Sequence, residues 1–178
     1  KNNEDGNIQK LEKLLTSEEI NYSNNISKIT DKIYLGDEEG AKELDFFKTE
    51  GIHYILSIVK IPPTYPDNMN MKVLHLNMGE SLTTNIISFI KQSINFIEKA
   101  DKIYIHCTCG INRSAAILIG YLMWKTHSSF DDVFNYVKKR RDCIEPINPF
   151  IIQLHKFENL LKQNNYDHEK VIVNARTK

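Results

Sequence analysis

The stretch Lys102-Ile103-Tyr104-Ile105-His106-Cys107-Thr108-Cys109-Gly110-Ile111-Asn112-Arg113-Ser114-Ala115-Ala116-Ile117 runs from an apolar strand, through a short loop, into an apolar helix. Ile103 and Ile105 alternate, as a strand with an inward face requires. Ser114 to Lys125 is apolar on most sides, which predicts a central, buried helix. The turn between them places Cys107 beneath a helix N-terminus. Unpaired N–H groups and the helix dipole there favour an anion. A thiol in that position is favoured as the thiolate, and the same amides can cradle a phosphate. Gly110 lets the loop turn tightly, through positive φ, with its N–H groups inward. Arg113 opens the helix and can fork two phosphate oxygens. A nucleophile facing an oxyanion cradle suits attack on phosphorus. The competing reading is a small buried Cys after a strand. Five specified positions coincide by chance roughly once in 10⁴ to 10⁵ chains of this length, which favours the chemical reading.

Elements on either side alternate in the same way. Lys32 to Leu35 is a strand ended by Gly36. Residues 38 to 50 form a helix with Leu44, Phe46 and Phe47 inward and Gly51 as its stop. Ile52 to Val59 is a largely apolar strand, Pro62, Pro63 and Pro66 impose a loop, and Val73 to Leu76 is a short strand. Leu82 to Ala100 is a long helix with Ile86, Phe89, Ile90, Ile94 and Ile97 on one face. Beyond the loop, Ser128, Ser129, Asp131 and Asp132 mark a helix start that runs to about Arg141. Pro146 and Pro149 open a last helix to about Leu161, with Phe150, Leu154, Phe157 and Leu161 inward. The order predicts an α/β domain with one central mixed, mostly parallel sheet of about five strands flanked by helices. Antiparallel strands are expected only at its edge.

The ends differ from this pattern. Residues 1 to 26 are expected to be an N-terminal extension, frayed over residues 1 to 7. Ile8, Leu11, Leu14 and Leu15 are spaced as a short amphipathic helix that packs on the domain or covers a partner. Asn21 to Asn25 is expected to be a loop. Residues 162 to 178 are expected to be a polar tail, in which Val171 to Val173 is the one candidate for an edge strand. There are no internal repeats.

With 178 residues, 41% of them hydrophobic and 26% charged, the chain is globular and of single-domain size. Disorder throughout, a collagen-like repeat and a disulfide scaffold are excluded. Lys and Arg number 23 and Asp and Glu 23, so net charge encodes no general attraction to nucleic acid or anionic membrane. Nucleic acid is not an expected partner. Three cysteines, Cys107, Cys109 and Cys143, argue for a reducing compartment. No apolar run is long enough for a membrane span, and there is no signal-peptide pattern. A chain that begins at Lys1 is expected to be a processed or cut-down piece. The abundance of Asn, Lys and Ile is a habit of composition.

His106-Cys107, five residues, Arg113 and Ser114 together resemble the signature of the cysteine-dependent protein phosphatases, and specifically of their dual-specificity branch. Further segments resemble that family: Ile33-Tyr34-Leu35-Gly36, Gly51-Ile52 through Ser57, Ser114-Ala115-Ala116, Tyr121-Leu122-Met123, and Val137 to Arg141 followed by Pro146, Phe150, Gln153 and Leu154. The resemblance covers residues 27 to 161, the expected catalytic domain. It implies a phosphotyrosine protein phosphatase-like fold and hydrolysis of phosphotyrosine and phosphoserine or phosphothreonine through a cysteinyl-phosphate. Cys107 is then the nucleophile, and Arg113 binds the phosphoryl oxygens. The amides of Thr108, Cys109, Gly110, Ile111, Asn112 and Arg113 complete the cradle. Ser114 helps Cys107 leave in the second step, and His106 supports the loop from below. No metal or cofactor is implied. Phosphorylated proteins are the implied partners of a monomer in the cytoplasm or nucleus.

This sequence departs from the family at the general acid. Registering Ile86 to Ile97 on the family's long helix puts Glu80 where an Asp is usual. Glu80 can donate a proton to the leaving oxygen and later activate water, and Asp67 is the poorer alternative. Ser57 and Ile147 stand where Asn is usual. Cys109 is read as a tolerated small side chain or as a site of redox modulation; Cys143 is expected to pack near the last turn. The basic run Lys138, Lys139, Arg140 and Arg141 is read as a solvated face or as an attractor of acidic, phosphorylated substrate. Two other functions remain open. His-Cys-Thr-x-Gly-x-Asn-Arg is also similar to the loop of RNA 5′-triphosphatases, with Asn112 as the supporting residue. The third reading is a pseudophosphatase that binds phosphoproteins without turnover.

Overall fold

The structure, a computed structural model, describes residues 9–11, 13, 21–23 and 25–173, the backbone alone for 21–23. Its frame is one six-stranded sheet: β1 (Asn21–Ser23), β2 (Ile26–Lys28), β3 (Ile33–Gly36), β4 (Tyr54–Ser57), β5 (Lys72–His75) and β6 (Ile103–His106). The spatial order is β1-β2-β3-β6-β4-β5. The four strands β3, β6, β4 and β5 are parallel, and β1 and β2 add an antiparallel edge. The expected mixed architecture is present, with six strands rather than about five. β1 lies in the segment Asn21 to Asn25 expected to be a loop, and β2 follows it: Asn21 pairs with Ser27, Ile26 with Gly36 and Lys28 with Tyr34. Three-residue strands carry too little alternation to register in a sequence, so pairing of β2 with β3 and of β1 with β2 decides them.

The alternation in the central strands sorts two cores. Ile33, Leu35, Leu56, Ile103 and Ile105 point to one face, under α2 (Ile86–Lys99), α3 (Arg113–Thr126), α4 (Phe130–Arg140) and α5 (Asn148–Gln163). Tyr34, Ile55 and Tyr104 point to the other, against Phe47 of α1 (Leu44–Glu50) and Met69. Helix α3 is the hub, buried along most of its length as its uniformly apolar sequence predicts. Gly51 ends α1 with φ +72, the left-handed cap expected of it. Ser129 caps α4 through the Asp132 N–H.

Two helices begin later than their hydrophobic pattern suggests. Residues 40–42 form a 3₁₀ turn before α1. Helix α2 starts at Ile86, because Asn85 accepts the Ser88 N–H as an N-cap and Ser81, Thr83 and Thr84 bond one another in a turn. Leu82 is left exposed. At the N-terminus, Leu11 is buried in the main core; Ile8, Leu14 and Leu15 lie outside the described residues.

Beyond α5 the chain doubles back. Tyr166 accepts the Trp124 indole N–H at its carbonyl and stacks on His127, and Val171 enters the main core. The segment through Val173 therefore packs on the domain, and Val171–Val173 is neither helix nor strand. Among the described residues no helix is long and apolar enough to cross a membrane.

Candidate active site

Strand β6 lies between β3 and β4, and its last residue, His106, stands level with Gly36 and Ser57. The loop that follows therefore emerges at the carboxyl end of the central parallel strands, where α/β sheets place their sites. His106 is fully buried. Its Nδ1 lies 3.2 Å from the Cys107 carbonyl and its Nε2 2.8 Å from Ser57 Oγ. A carbonyl only accepts, so Nδ1 carries the proton and Nε2 receives the Ser57 hydroxyl. Burial pushes the imidazole down to about 4, so it is neutral near pH 7. His106 thus buttresses the loop from below, and Ser57 has a defined task at its off-pattern position.

Cys107 is 2% exposed and points its sulfur into the loop. The Gly110 N–H donates to Sγ at 3.2 Å, and Ser114 Oγ lies 3.1 Å from it. Gly110 has φ +66; a Cβ there would stand 2.5 Å from the Gly36 carbonyl oxygen, so no other residue fits. The amides of Thr108, Cys109, Ile111, Asn112 and Arg113 meet no acceptor among the described residues. Open amides next to the Gly110 N–H that meets the sulfur suit a tetrahedral oxyanion.

Arg113 is the first residue of α3, as expected. Its Nε donates to Glu80 Oε1 at 3.0 Å, one terminal nitrogen to Thr108 Oγ1 at 3.0 Å, and the other to the Met78 carbonyl at 3.5 Å. The structure therefore brings Glu80, chosen by its register with the family's Asp, to the guanidinium. Asp67 opens a 3₁₀ turn ahead of β5 and bonds to neither Cys107 nor Arg113. Gln153 fixes the loop that carries Glu80: its side chain accepts the Ile86 N–H at 2.8 Å and donates to the Thr84 carbonyl at 2.8 Å.

Three features were invisible in the sequence. Asn112 faces away from the cradle; its Oδ1 accepts the Ile147 N–H at 2.9 Å and ties the loop to the start of α5, while Nδ2 is buried with no partner among the described residues. The basic run is not one charged face. Lys138 bonds the Ile144 carbonyl, and Arg140 lies 3.5 Å above the Tyr136 ring. Arg141 is buried against the back of the loop, donating to the carbonyls of Gly110 at 2.8 Å and Cys109 at 3.4 Å. The only sequence signal for Arg141 is its place at the end of an amphipathic helix, four residues after the buried Val137. Cys109 is exposed, as a tolerated small side chain permits, and Cys143 is exposed rather than packed. No group of three or more metal-ligating side chains occurs among the described residues.

Comparison with known proteins agrees with this geometry. The family model for the dual specificity phosphatase catalytic domain matches residues 33–160. MAP kinase phosphatase with leucine-rich repeats protein 1 of Dictyostelium discoideum is 34% identical over 138 residues, covering 76% of this chain and 16% of that protein. Protein-tyrosine-phosphatase MKP1 of Arabidopsis thaliana is 33% identical over 132 residues, 72% of this chain and 17% of that one. The chain thus spans about a sixth of the length of these curated relatives. Among solved structures, DUSP15 superposes with a TM-score of 0.74 at 26% identity, covering 86% of this chain and 100% of that one. The human tyrosine phosphatase-like serine/threonine/tyrosine-interacting protein superposes with a TM-score of 0.71 at 28% identity, covering 79% and 99%. With the sulfur, the guanidinium and the open amides assembled at the end of β6, and most of its length matched by one family, the chain belongs to the dual specificity phosphatase catalytic-domain family.

Proposed function

We propose that this domain is a cysteine-dependent phosphatase acting on phosphotyrosine and on phosphoserine or phosphothreonine in proteins. The observation that carries the reading is Cys107 Sγ, held by the Gly110 N–H and Ser114 Oγ below a set of open amides. In the first step the thiolate attacks phosphorus, a P–S bond forms and the P–O bond to the substrate breaks. Glu80 supplies the proton to the departing oxygen. In the second step water, deprotonated by Glu80, attacks the cysteinyl-phosphate; sulfur leaves with the electron pair, eased by the Ser114 hydroxyl. Arg113 exchanges its contacts to Glu80 and Thr108 for two phosphoryl oxygens and follows the developing charge.

Two observations weigh against the RNA 5′-triphosphatase reading. Asn112 is occupied with the Ile147 amide, so its presence has a structural reason. Of the basic run, Lys138, Arg140 and Arg141 go to separate intramolecular contacts, whereas a polyanion needs clustered cations.

Hydrolysis of an aryl phosphate by the reduced protein, abolished in Cys107→Ser, tests the assignment. An aryl leaving group needs little protonation, so a competent Cys107 turns it over even when Glu80 contributes nothing. No phosphate release would overturn catalysis and leave phosphoprotein binding. Activity on a phosphotyrosyl peptide against triphosphorylated RNA separates the two enzymatic functions.

A further inference from the structure

The geometry points to Arg141 as a positioning residue that turns the amides of the phosphate loop inward, an inference that rests on the phosphatase reading of the loop. Arg141 is 4% exposed, and its guanidinium meets the loop at the Cys109 and Gly110 carbonyls rather than at the amides. Nε donates to the Gly110 carbonyl at 2.8 Å, and the terminal nitrogens donate to the Cys109 carbonyl at 3.4 Å and to Ser27 Oγ at 3.3 Å.

A trans peptide is planar, so its C=O and N–H point in opposite directions. Holding the Cys109 carbonyl outward turns the Gly110 N–H inward, and that N–H is the one bonded to Cys107 Sγ. Holding the Gly110 carbonyl outward turns the Ile111 N–H inward, and that amide is open to a ligand. One side chain therefore sets two consecutive peptide planes. The fork is suited to this: its N–H groups diverge at fixed angles, and a lysine ammonium has no such planar fork. A buried cation also draws the loop carbonyls towards itself and leaves the cradle face to N–H donors, which suits a dianion. Ser27 on β2 holds the guanidinium from a third side, which assigns a purpose to a strand that carries no site residue itself.

The pair Arg141→Lys and Arg141→Met tests this in the whole chain, with vanadate inhibition, kcat and KM on an aryl phosphate, and a thermal melt measured together. The expected result for Arg141→Lys is a folded protein in which vanadate inhibits at least roughly tenfold more weakly and kcat falls at least as much, as follows from misplacing oxyanion donors. KM changes less, because the donors matter most as charge develops. A purely structural residue would lower the melting temperature and leave vanadate inhibition and kcat per folded molecule unchanged. Should Arg141→Met fail to fold, Arg141→Lys carries the test, since it retains charge and most of the volume. A folded Arg141→Lys whose vanadate inhibition and kcat stay within about twofold of the parent overturns the inference. A parent chain that neither binds vanadate nor releases phosphate instead removes the phosphatase reading, so the two failures are distinguishable.

Discussion

Replacing Glu80 by Gln should push catalysis and oxyanion binding in opposite directions. Glu80 is half exposed, and its Oε1 lies 3.0 Å from Arg113 Nε. In the unliganded site the carboxylate therefore holds the nitrogen that a phosphoryl oxygen needs. Exposed ion pairs contribute at most about 1 kcal/mol after solvent screening, so removing the carboxylate should tighten inorganic phosphate binding by no more than about fivefold. The loss of a proton donor acts on the rate. General acid catalysis contributes about 10² to 10⁴, so kcat on a phosphoserine peptide, a poor leaving group, should drop at least about a hundredfold, equivalent to about 2.7 kcal/mol of barrier. On nitrophenyl phosphate, whose leaving group departs unprotonated, the drop should stay within about threefold, the remainder being second-step assistance. The assay is steady-state kinetics on both substrates, with phosphate as competitive inhibitor. Equal losses on the two substrates, or an unchanged rate on the phosphoserine peptide, would refute the assignment of Glu80. Weaker phosphate inhibition in Glu80→Gln would refute its competition with substrate for Arg113.

Three further outcomes are expected. Ser114→Ala removes the hydroxyl 3.1 Å from Cys107 Sγ; hydrogen bonds to charged groups are worth about 1.5–3 kcal/mol, so the second step should slow roughly ten- to a hundredfold and a stopped-flow burst of aryl alcohol should appear, its absence arguing against a leaving-group role. Gly110→Ala forces a side chain into φ +66 and against the Gly36 carbonyl; a loss of about 1–3 kcal/mol in urea melts and loss of vanadate binding are expected, and a stable, vanadate-binding variant would contradict the loop geometry. Burial sets the folded His106 imidazole at about 4, below its ordinary 6.5. The unfolded chain takes up a proton that the folded chain refuses, so stability should fall as pH drops from 6.5 to 4, by up to about 3 kcal/mol. Urea midpoints that fall no faster over that window than those of His106→Gln would disprove this.

The local rules in this chain were strong wherever a signal fits inside a few residues. A strand of alternating Ile103 and Ile105, a glycine at the turn and an arginine heading an apolar helix are each local facts. Together they specified β6, the loop, α3 and the placement of Cys107, Arg113 and Ser114 around one cradle. Glu80 was reachable only through the family resemblance, because registering α2 on the family's long helix puts Glu80 where an Asp is usual. The edge strands Asn21–Ser23 and Ile26–Lys28, the docking of Val171 into the core and the tasks of Ser57, Asn112, Gln153 and Arg141 were not reachable in that way. Each depends on partners more than about 30 residues away in the chain or on a neighbouring strand, and no spacing within the chain encodes such a meeting. Arg141 shows the reason most plainly. In the sequence it ends a run of four cations that looks like a solvated face. Only when α4 packs beside the loop do two carbonyls, 31 and 32 residues upstream, come within reach of its guanidinium and turn a surface charge into a buried support.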